Sequence, residues 1–223
     1  LVAADGASPH LVEQFRSLAA TLLRAQGERP LKSLLVTSPS PGDGKSHVAL
    51  NLALTLSGSS HRRVLLVDAD LRRPTLHRVF RLTDSRGLSE ALRADADEKV
   101  ATAQVAENLT LLPAGKPEAS LLAGLASGRM KRIVSDAAAA FDWVIVDSPP
   151  VGVLADAHLV SEAVDAAIIV IRAGVTQFPD LAAAVDTLGQ SRVLGVVLNA
   201  IDPSDMRGES YYSHYYGHAS ARR

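Results

Sequence analysis

The sequence contains no cysteine among its 223 residues. Disulfides, thiolate metal sites and thiolate-ligated iron–sulfur clusters are therefore excluded. No apolar run approaches the roughly 20 residues that a membrane-spanning helix needs, and the start shows no signal-peptide pattern. The formal net charge is −1 and basic residues are scattered, so we expect no nucleic-acid partner.

Hydrophobic residues account for 47% of the chain, which is enough to bury a full core. We expect an N-terminal helix and lead-in over 1–30, a main domain over 31–205 and a flexible tail over 206–223. Because the sequence opens at Leu1 rather than Met, we expect a portion of a longer protein, which leaves room for membrane segments elsewhere in it.

The N-terminal helix is predicted where apolar residues recur at helical spacing from Leu11 to Leu22, and Gly27 and Pro30 close the pattern. Short apolar runs then predict strands over 33–37, 64–67, 109–112, 143–146, 167–171 and 193–198. Stretches between them predict helices over 45–56, 75–80, 88–92, 120–140, 158–163 and 178–190. The runs are apolar at consecutive positions, which is typical of strands covered on both faces. The pattern predicts an α/β fold with a doubly wound, mainly parallel sheet and helices on both faces.

The first predicted strand ends in residues 38–46, which read SPSPGDGKS, and a helix follows directly. Glycines let backbone N–H groups converge on phosphate oxygens, and the helix N-terminus adds positive charge. Lys45 can reach the terminal phosphates and the Ser46 hydroxyl can bind Mg²⁺. The standard pattern G-x-x-x-x-G-K-[ST] is not met, because Pro39 stands at its first glycine. The segment predicts a phosphate cradle, with an ordinary turn before a helix as the alternative.

Acidic residues stand at the ends of two further predicted strands. Asp68 and Asp70 are two positions apart in an extended segment, so both can face the strand end. Asp147 ends another strand. Ligands of doubly wound sheets lie beyond the carboxyl ends of the strands, so these acids predict a Mg²⁺ site beside the phosphates. Alternatively, Asp68 and Asp70 cap the following helix or pair with Arg72 and Arg73.

Together, residues 41–46 (PGDGKS), 67–74 (VDADLRRP) and 146–150 (VDSPP) closely resemble the Walker A, Walker A′ and Walker B motifs of the bacterial tyrosine kinase (BY-kinase) family. The resemblance runs from about Glu13 to the last residue. It implies a P-loop NTPase fold of the deviant Walker type and an ATP- and Mg²⁺-dependent protein-tyrosine kinase. In that family the domain is the cytoplasmic part of a polysaccharide co-polymerase, or is switched on by a separate membrane protein, and governs export of capsular or exopolysaccharide.

The resemblance also implies roles for individual residues. Lys45 would stabilise the β- and γ-phosphates, Asp68 would be the candidate base, and Asp70 would take part in catalysis and, with Ser46 and Asp147, hold the metal or its waters. Residues 195–202 resemble the segment that contacts adenine, with Asn199 either the base reader or a strand-end turn residue. The implied nucleotide-binding set is Pro41, Gly42, Asp43, Gly44, Lys45, Ser46, His47 and Asn199.

The resemblance further implies a cytoplasmic location at the inner face of the plasma membrane, reached through a membrane activator or a membrane segment of the same protein. It implies a homo-oligomer held by tail-to-active-site contacts. The family helix carries E-x-x-R-x-x-R, used in assembling a ring, but here Glu13 and Arg16 are followed by Ala19. This departure weakens the prediction of a ring, and Glu13 and Arg16 can equally form an exposed i,i+3 pair.

All four tyrosines lie near the C-terminus: Tyr211, Tyr212, Tyr215 and Tyr216. Their neighbours offer little aliphatic surface, which favours a flexible tail, although docking of the rings on a surface is the alternative. The cluster resembles the family's autophosphorylated tyrosines. We therefore expect phosphoryl transfer to this tail, in trans within an oligomer.

Two other functions fit a nucleotide-binding chain. A partition or division-site ATPase of the same superfamily has K-G-G-x-G-K-[ST], but Ser40 stands at its first lysine and no membrane-binding amphipathic helix is found. An ATP-binding regulatory module would bind nucleotide without transferring phosphate. A cofactor-transferring reductase of the iron–sulfur ATPase type is excluded by the missing cysteines.

Overall fold

A computed structural model of the chain describes residues 1–4, 6–82, 86–93, 100–116, 122–153 and 155–202. The strands within them are β1 (Ser33–Thr37), β2 (Val64–Asp68), β3 (Ala103–Ala106), β4 (Leu109–Leu112), β5 (Trp143–Asp147), β6 (Ala166–Arg172) and β7 (Val193–Asn199). The helices are α1 (Pro9–Glu28), α2 (Lys45–Gly58), α3 (Leu76–Val79), α4 (Leu88–Arg93), α5 (Leu122–Ala126), α6 (Gly128–Ala140), α7 (Ala155–Ser161) and α8 (Phe178–Leu188). A 3₁₀ turn, Gln190–Arg192, precedes β7.

The described strands form one sheet in the order β3-β4-β2-β5-β1-β6-β7. Neighbouring strands run parallel except β3 and β4, which pair antiparallel. The chain winds from β1 toward β2 and β4 on one side and returns through β5 to β6 and β7 on the other. This topology confirms the predicted doubly wound α/β fold, whose ligands bind where the winding reverses.

Successive side chains point to opposite sides of a strand, and helices cover both sides of the central strands. These strands are therefore buried on both faces. Leu34 of β1 and Leu66 of β2 pack in one core cluster with residues of α1, α2 and α3. Leu35 and Val67 pack in a second cluster with residues of α4 to α8. Two separate core clusters therefore cover the two faces of the sheet.

Helix α1 forms where the sequence predicts it, with Pro9 at its first turn and Phe15 and Leu22 buried against the domain. Ala19, at the position where the family motif has arginine, is only 2% exposed. Glu13 and Arg16 lie 3.8 Å apart at the surface. None of the helices in the described ranges is long and apolar enough to span a membrane.

Four details of the predicted secondary structure were wrong. Strand β3 was missed, because this short edge strand has only alternate residues partly buried. Strand β7 is not covered on both faces by the described parts of the chain, since Val196 and Leu198 are 45% and 50% exposed. The helix expected over 120–140 is broken, since the Ser127 side chain accepts a hydrogen bond from the backbone N–H of Arg129 and begins α6. Helix α7 spans Ala155–Ser161 rather than 158–163.

The central position of β5 predicts that its core side chains dominate stability. Ile145 is fully buried, so Ile145→Ala should lower the free energy of unfolding by about 2–5 kcal/mol through lost contacts and a cavity. Val196→Ala on the exposed edge should change it by less than about 0.5 kcal/mol. Urea unfolding followed by circular dichroism measures both, and equal losses would contradict the assignment of centre and edge.

Candidate active site

The carboxyl ends of β1, β2 and β5 meet at one edge of the sheet. Asp68, the last residue of β2, lies directly opposite Asp147, the last residue of β5, in the parallel register. Val36 of β1 lies opposite Asp147 on the other side. The sheet itself therefore brings the predicted acids to the start of the P-loop (residues 38–46).

The P-loop curves tightly before α2. Gly42 and Gly44 have φ of 89° and 97°, a left-handed conformation that glycine adopts without strain. A Cβ at Gly44 would collide with the side chain of Asn199. Pro41 is exposed in the turn, and α2 begins at Lys45. The loop thus ends at a helix N-terminus, where free backbone N–H groups favour an anion.

The Asp43 side chain does not face solvent, since the residue is 2% exposed. Its Oδ2 accepts a hydrogen bond from the backbone N–H of Ser40 at 3.0 Å. Its Oδ1 accepts one from Thr176 Oγ1 at 2.9 Å. The Asp43 carboxylate therefore holds the loop, and the prediction that Asp43 binds nucleotide stays a prediction.

Lys45 is positioned by its neighbours at the carboxyl edge. Its Nζ lies 3.2 Å from Asp70 Oδ2, in an ion pair that is mostly shielded from solvent. The same ammonium donates to Ser46 Oγ at 3.3 Å. The other oxygen of Asp70 accepts from the backbone N–H of Arg73 at 3.0 Å. The predicted lysine, serine and second aspartate of the site are thus in direct contact.

Asp68 has one bound and one free oxygen. Its Oδ2 accepts hydrogen bonds from the backbone N–H groups of Thr75 and Leu76, at 3.2 and 3.1 Å, and so caps α3 as the alternative interpretation expected. Its Oδ1 is buried and has no hydrogen-bond partner in the part of the chain that the structure describes. Burial raises the pKa of Asp68 to about 6, against the effect of these N–H groups, and the charge of Asp70 adds to the rise.

Asp147 is completely buried, and neither of its carboxylate oxygens has a partner with hydrogen-bond geometry among the described residues. Burial raises the pKa of Asp147 to about 7. The positive charge of Lys45 and the Ser46 hydroxyl oppose the rise, and the charges of Asp68 and Asp70 increase it. The carboxylate is therefore close to both predicted P-loop side chains, although it makes no hydrogen bond of ordinary geometry with either.

Mg²⁺ would have to take most of its ligands from outside the protein. In the parts of the chain that the structure describes, no three acidic or imidazole side chains are grouped so that they could hold a metal ion. Mg²⁺ commonly binds one or two carboxylates, water and substrate phosphates. The unpartnered oxygens of Asp147 and the hydroxyl of Ser46 fit that mode.

Asn199 and His47 both lie beside the loop. The Asn199 amide donates to the backbone carbonyl of Asp43 at 2.9 Å. A cleft of about 550 Å³ opens beside Asn199 between α1 and β7. The His47 ring lies 3.2 Å from the Asn51 amide and edge-on to Phe15, and partial burial lowers the pKa of His47.

Two contacts at the site were not anticipated from the sequence. Thr176 contacts Asp43, which is 133 positions away in the sequence. Arg72, expected as a partner of Asp68 or Asp70, instead donates to Asp156 of α7 through Nε at 2.7 Å and Nη2 at 3.2 Å. No motif or spacing links these pairs, because each joins separate segments of the chain that only the folded sheet brings together. The tail from residue 206 and its four tyrosines lie outside the described residues.

Residues 31–202 match the family model described as ParA: NUBPL iron-transfer P-loop NTPase. Tyrosine-protein kinase YwqD of Bacillus subtilis is 34% identical over 203 residues, covering 90% of this chain and 85% of that protein. Putative tyrosine-protein kinase CapB of Staphylococcus aureus is 30% identical, covering 92% of this chain and 90% of that protein. The chain spans only 27% of tyrosine-protein kinase ptk of Acinetobacter johnsonii, at 31% identity.

Solved structures agree with this relationship. The kinase domain of Escherichia coli tyrosine kinase ETK superposes with a TM-score of 0.79 at 28% identity, covering 85% of this chain and 75% of that one. The chimerical protein CapA2B2 gives a TM-score of 0.79 at 27% identity, covering 90% and 88%. A ParA family ATPase from Chlorobium tepidum, at 23% identity and a TM-score of 0.62 over 77% of this chain and 75% of that one, shares the fold. The chain belongs to the bacterial protein-tyrosine kinase family of ParA-type P-loop NTPases.

Proposed function

We propose that the protein is an ATP-dependent tyrosine autokinase that phosphorylates Tyr211, Tyr212, Tyr215 and Tyr216 of its tail in trans. The contact between Lys45 and Asp70, beside the unpartnered oxygens of Asp68 and Asp147, carries the proposal. It brings together the Lys45 ammonium, which can bind phosphate, and carboxylates whose unpartnered oxygens can bind a metal ion or a proton. Family membership supplies the reaction class, and the tail supplies the acceptor.

The nucleotide phosphates would lie against the P-loop and the N-terminus of α2. Phosphate oxygens would compete with Asp70 for the Lys45 ammonium, since both partners are anionic. Ser46, Asp70 and Asp147 would hold Mg²⁺ or its waters. When bound, Mg²⁺ supplies positive charge that offsets the charge of the β- and γ-phosphates. The cleft beside Asn199 would place the base-reading segment 195–202 next to the adenine.

Asp68 would accept the proton of the acceptor tyrosine. A tyrosine hydroxyl has a pKa near 10, so at pH 7 only about one in a thousand is ionised. As the tyrosine oxygen bonds to the γ-phosphorus and the bond from that phosphorus to the bridging oxygen of ADP breaks, the proton passes to the carboxylate. A pKa of about 6 makes Asp68 a stronger base than an ordinary aspartate while it stays mostly ionised at pH 7.

Strand β7 ends at Asn199, beside the P-loop, and the four tyrosines follow it in the sequence. A tail attached at this edge of the sheet can reach the site of an adjoining subunit. We therefore infer transfer in trans within a homo-oligomer.

We also propose that the kinase acts in the cytoplasm at the inner face of the plasma membrane. A membrane activator or a membrane segment of the same protein would hold it there, and its phosphorylation state would regulate synthesis and export of capsular or extracellular polysaccharide. The family resemblance supports this context. So does the finding that the chain spans only a small part of some relatives, 27% of the length of one of them.

Lys45→Met should reduce tail phosphotyrosine by roughly 100-fold or more, because the charge that stabilises the transferred phosphate is lost. Mass spectrometry after incubation with ATP and Mg²⁺ measures it, and Lys131→Met, which removes a lysine that is 60% exposed, serves as control. With γ-labelled ATP, release of free phosphate alone would instead support a partition-type ATPase. Nucleotide binding without turnover would support a regulatory module.

Transfer in trans is tested by mixing two variants. A Lys45→Met chain supplies the tail, and an active chain with Tyr→Phe at all four tyrosines supplies the site. We expect phosphate on the inactive chain's tail at a rate that rises with the concentration of the active one, measured by phosphotyrosine mass spectrometry. If the inactive chain's tail stays unphosphorylated under conditions in which the wild type is labelled, transfer in trans is contradicted. Only transfer within one chain would then remain.

Asp147→Asn should abolish transfer yet stabilise the metal-free protein. The folded pKa of about 7 lies above the ordinary 3.8, so the folded state binds the extra proton and its stability falls as pH rises between these values. The variant escapes that loss, so its advantage, on the order of 1–3 kcal/mol, is full above pH 7 and fades toward pH 4.

Thermal unfolding in EDTA at pH 5 and pH 8 measures this advantage. Asp136→Asn removes the same charge from a side chain that is 74% exposed, and it should show no comparable pH-dependent gain. A less stable Asp147→Asn protein at pH 8 would contradict the assignment of Asp147 as a buried, unpartnered carboxylate.

A further inference from the structure

The P-loop contains a negative charge, Asp43, in a segment whose task is to bind an anion. Its carboxylate is buried and both oxygens are occupied, one by the backbone N–H of Ser40 and one by the Thr176 hydroxyl. The bond to Ser40 closes the turn that precedes Gly44. The conformation of the turn therefore depends on the position of the Asp43 carboxylate.

Thr176 is held firmly in the connection between β6 and α8. Its backbone N–H donates to the Arg172 carbonyl at 3.0 Å, and its Oγ1 accepts from the Arg172 N–H at 2.8 Å. A hydroxyl has a single proton. Because Oγ1 already accepts from Arg172, that proton is directed at Asp43 Oδ1, 2.9 Å away. The bond to Asp43 is therefore oriented by the turn that contains Thr176.

The same loop residue is held a second time through its main chain. Asn199 Nδ2 donates to the Asp43 carbonyl, and the Ala173 N–H donates to the Asn199 carbonyl, each at 2.9 Å. The ends of β6 and β7 are thus joined to each other and to Asp43. Thr176 fixes the side chain of Asp43 and Asn199 fixes its backbone.

We propose that Thr176 is a positioning residue for phosphoryl transfer, whose hydroxyl sets the Asp43 carboxylate and thereby the P-loop turn that receives the ATP phosphates. The inference rests on the proposed use of ATP. Thr176 acts through Asp43, and its loss leaves a buried carboxylate oxygen unpaired, so the loop relaxes to a conformation that presents its N–H groups less well.

The experiment compares wild type, Thr176→Ser and Thr176→Val by calorimetric titration with Mg·ADP and by tail phosphorylation at varied ATP. Thr176→Val keeps the shape without the hydroxyl and should weaken Mg·ADP binding and raise KM for ATP by about 10-fold, with kcat changed less. Thr176→Ser keeps the hydroxyl and should stay within about 2-fold of wild type. Thr187→Val removes a hydroxyl whose bond goes to the Ala183 carbonyl of its own helix, and it should change neither quantity.

Binding by Thr176→Val equal to wild type would overturn the proposal, as would a serine variant as impaired as the valine variant. If Thr176→Val unfolds at the assay temperature, Thr176→Ala replaces it. The double variant with Asp43→Ala gives a further check: once Asp43 is gone, loss of the Thr176 hydroxyl should weaken binding no further, and an additive loss would contradict action through Asp43.

Failure of the proposed kinase function would look different. A wild type that binds Mg·ADP but leaves its tail unlabelled contradicts the autokinase, while the binding data still decide the role of Thr176. A wild type without affinity for nucleotide contradicts both.

Discussion

One lysine faces three carboxylates at the carboxyl edge of the sheet, and this excess of negative charge is the constraint on which the site depends. Lys45 pairs with Asp70, which leaves Asp68 and Asp147 buried opposite each other without full partners. Burial of an unpaired carboxylate is unfavourable, and here it appears as raised pKa values. Added positive charge is therefore stabilised at this edge of the sheet, and a ligand that brings a cation binds more tightly there.

The sheet tolerates this arrangement because the strands beneath it are apolar on both faces. Leu66 and Val67 precede Asp68, and Ile145 and Val146 precede Asp147, all buried in the two core clusters. Shifting either carboxylate would require the strand to slide against both cores, so the acids cannot separate to relieve their repulsion. Core packing thus opposes, and outweighs, electrostatic relaxation at the site.

The sequence predicted what depends on local pattern. The consecutive apolar positions of the central strands identified a parallel sheet, and a parallel sheet necessarily gathers its strand ends, which located Lys45, Asp70 and Asp147 together. The edge strand β3 and the break at Ser127 were not predicted, because short or interrupted segments show little hydrophobic periodicity. The contacts of Thr176 and Asp156 were not predicted for another reason: they join segments far apart in sequence, and only the folded order of strands makes them neighbours.

Asp43 shows how such contacts change the meaning of a motif residue. In sequence it belongs to the phosphate loop, yet in the structure its side chain holds the loop from inside. With Arg72 bound to Asp156 and the Asp43 carbonyl bound to Asn199, the loops around the site are tied to strand ends and helices before any ligand arrives. A site that is already ordered loses less conformational entropy on binding. If phosphate oxygens take over the Lys45 ammonium as proposed, the Lys45 to Asp70 contact is the one that nucleotide binding has to change.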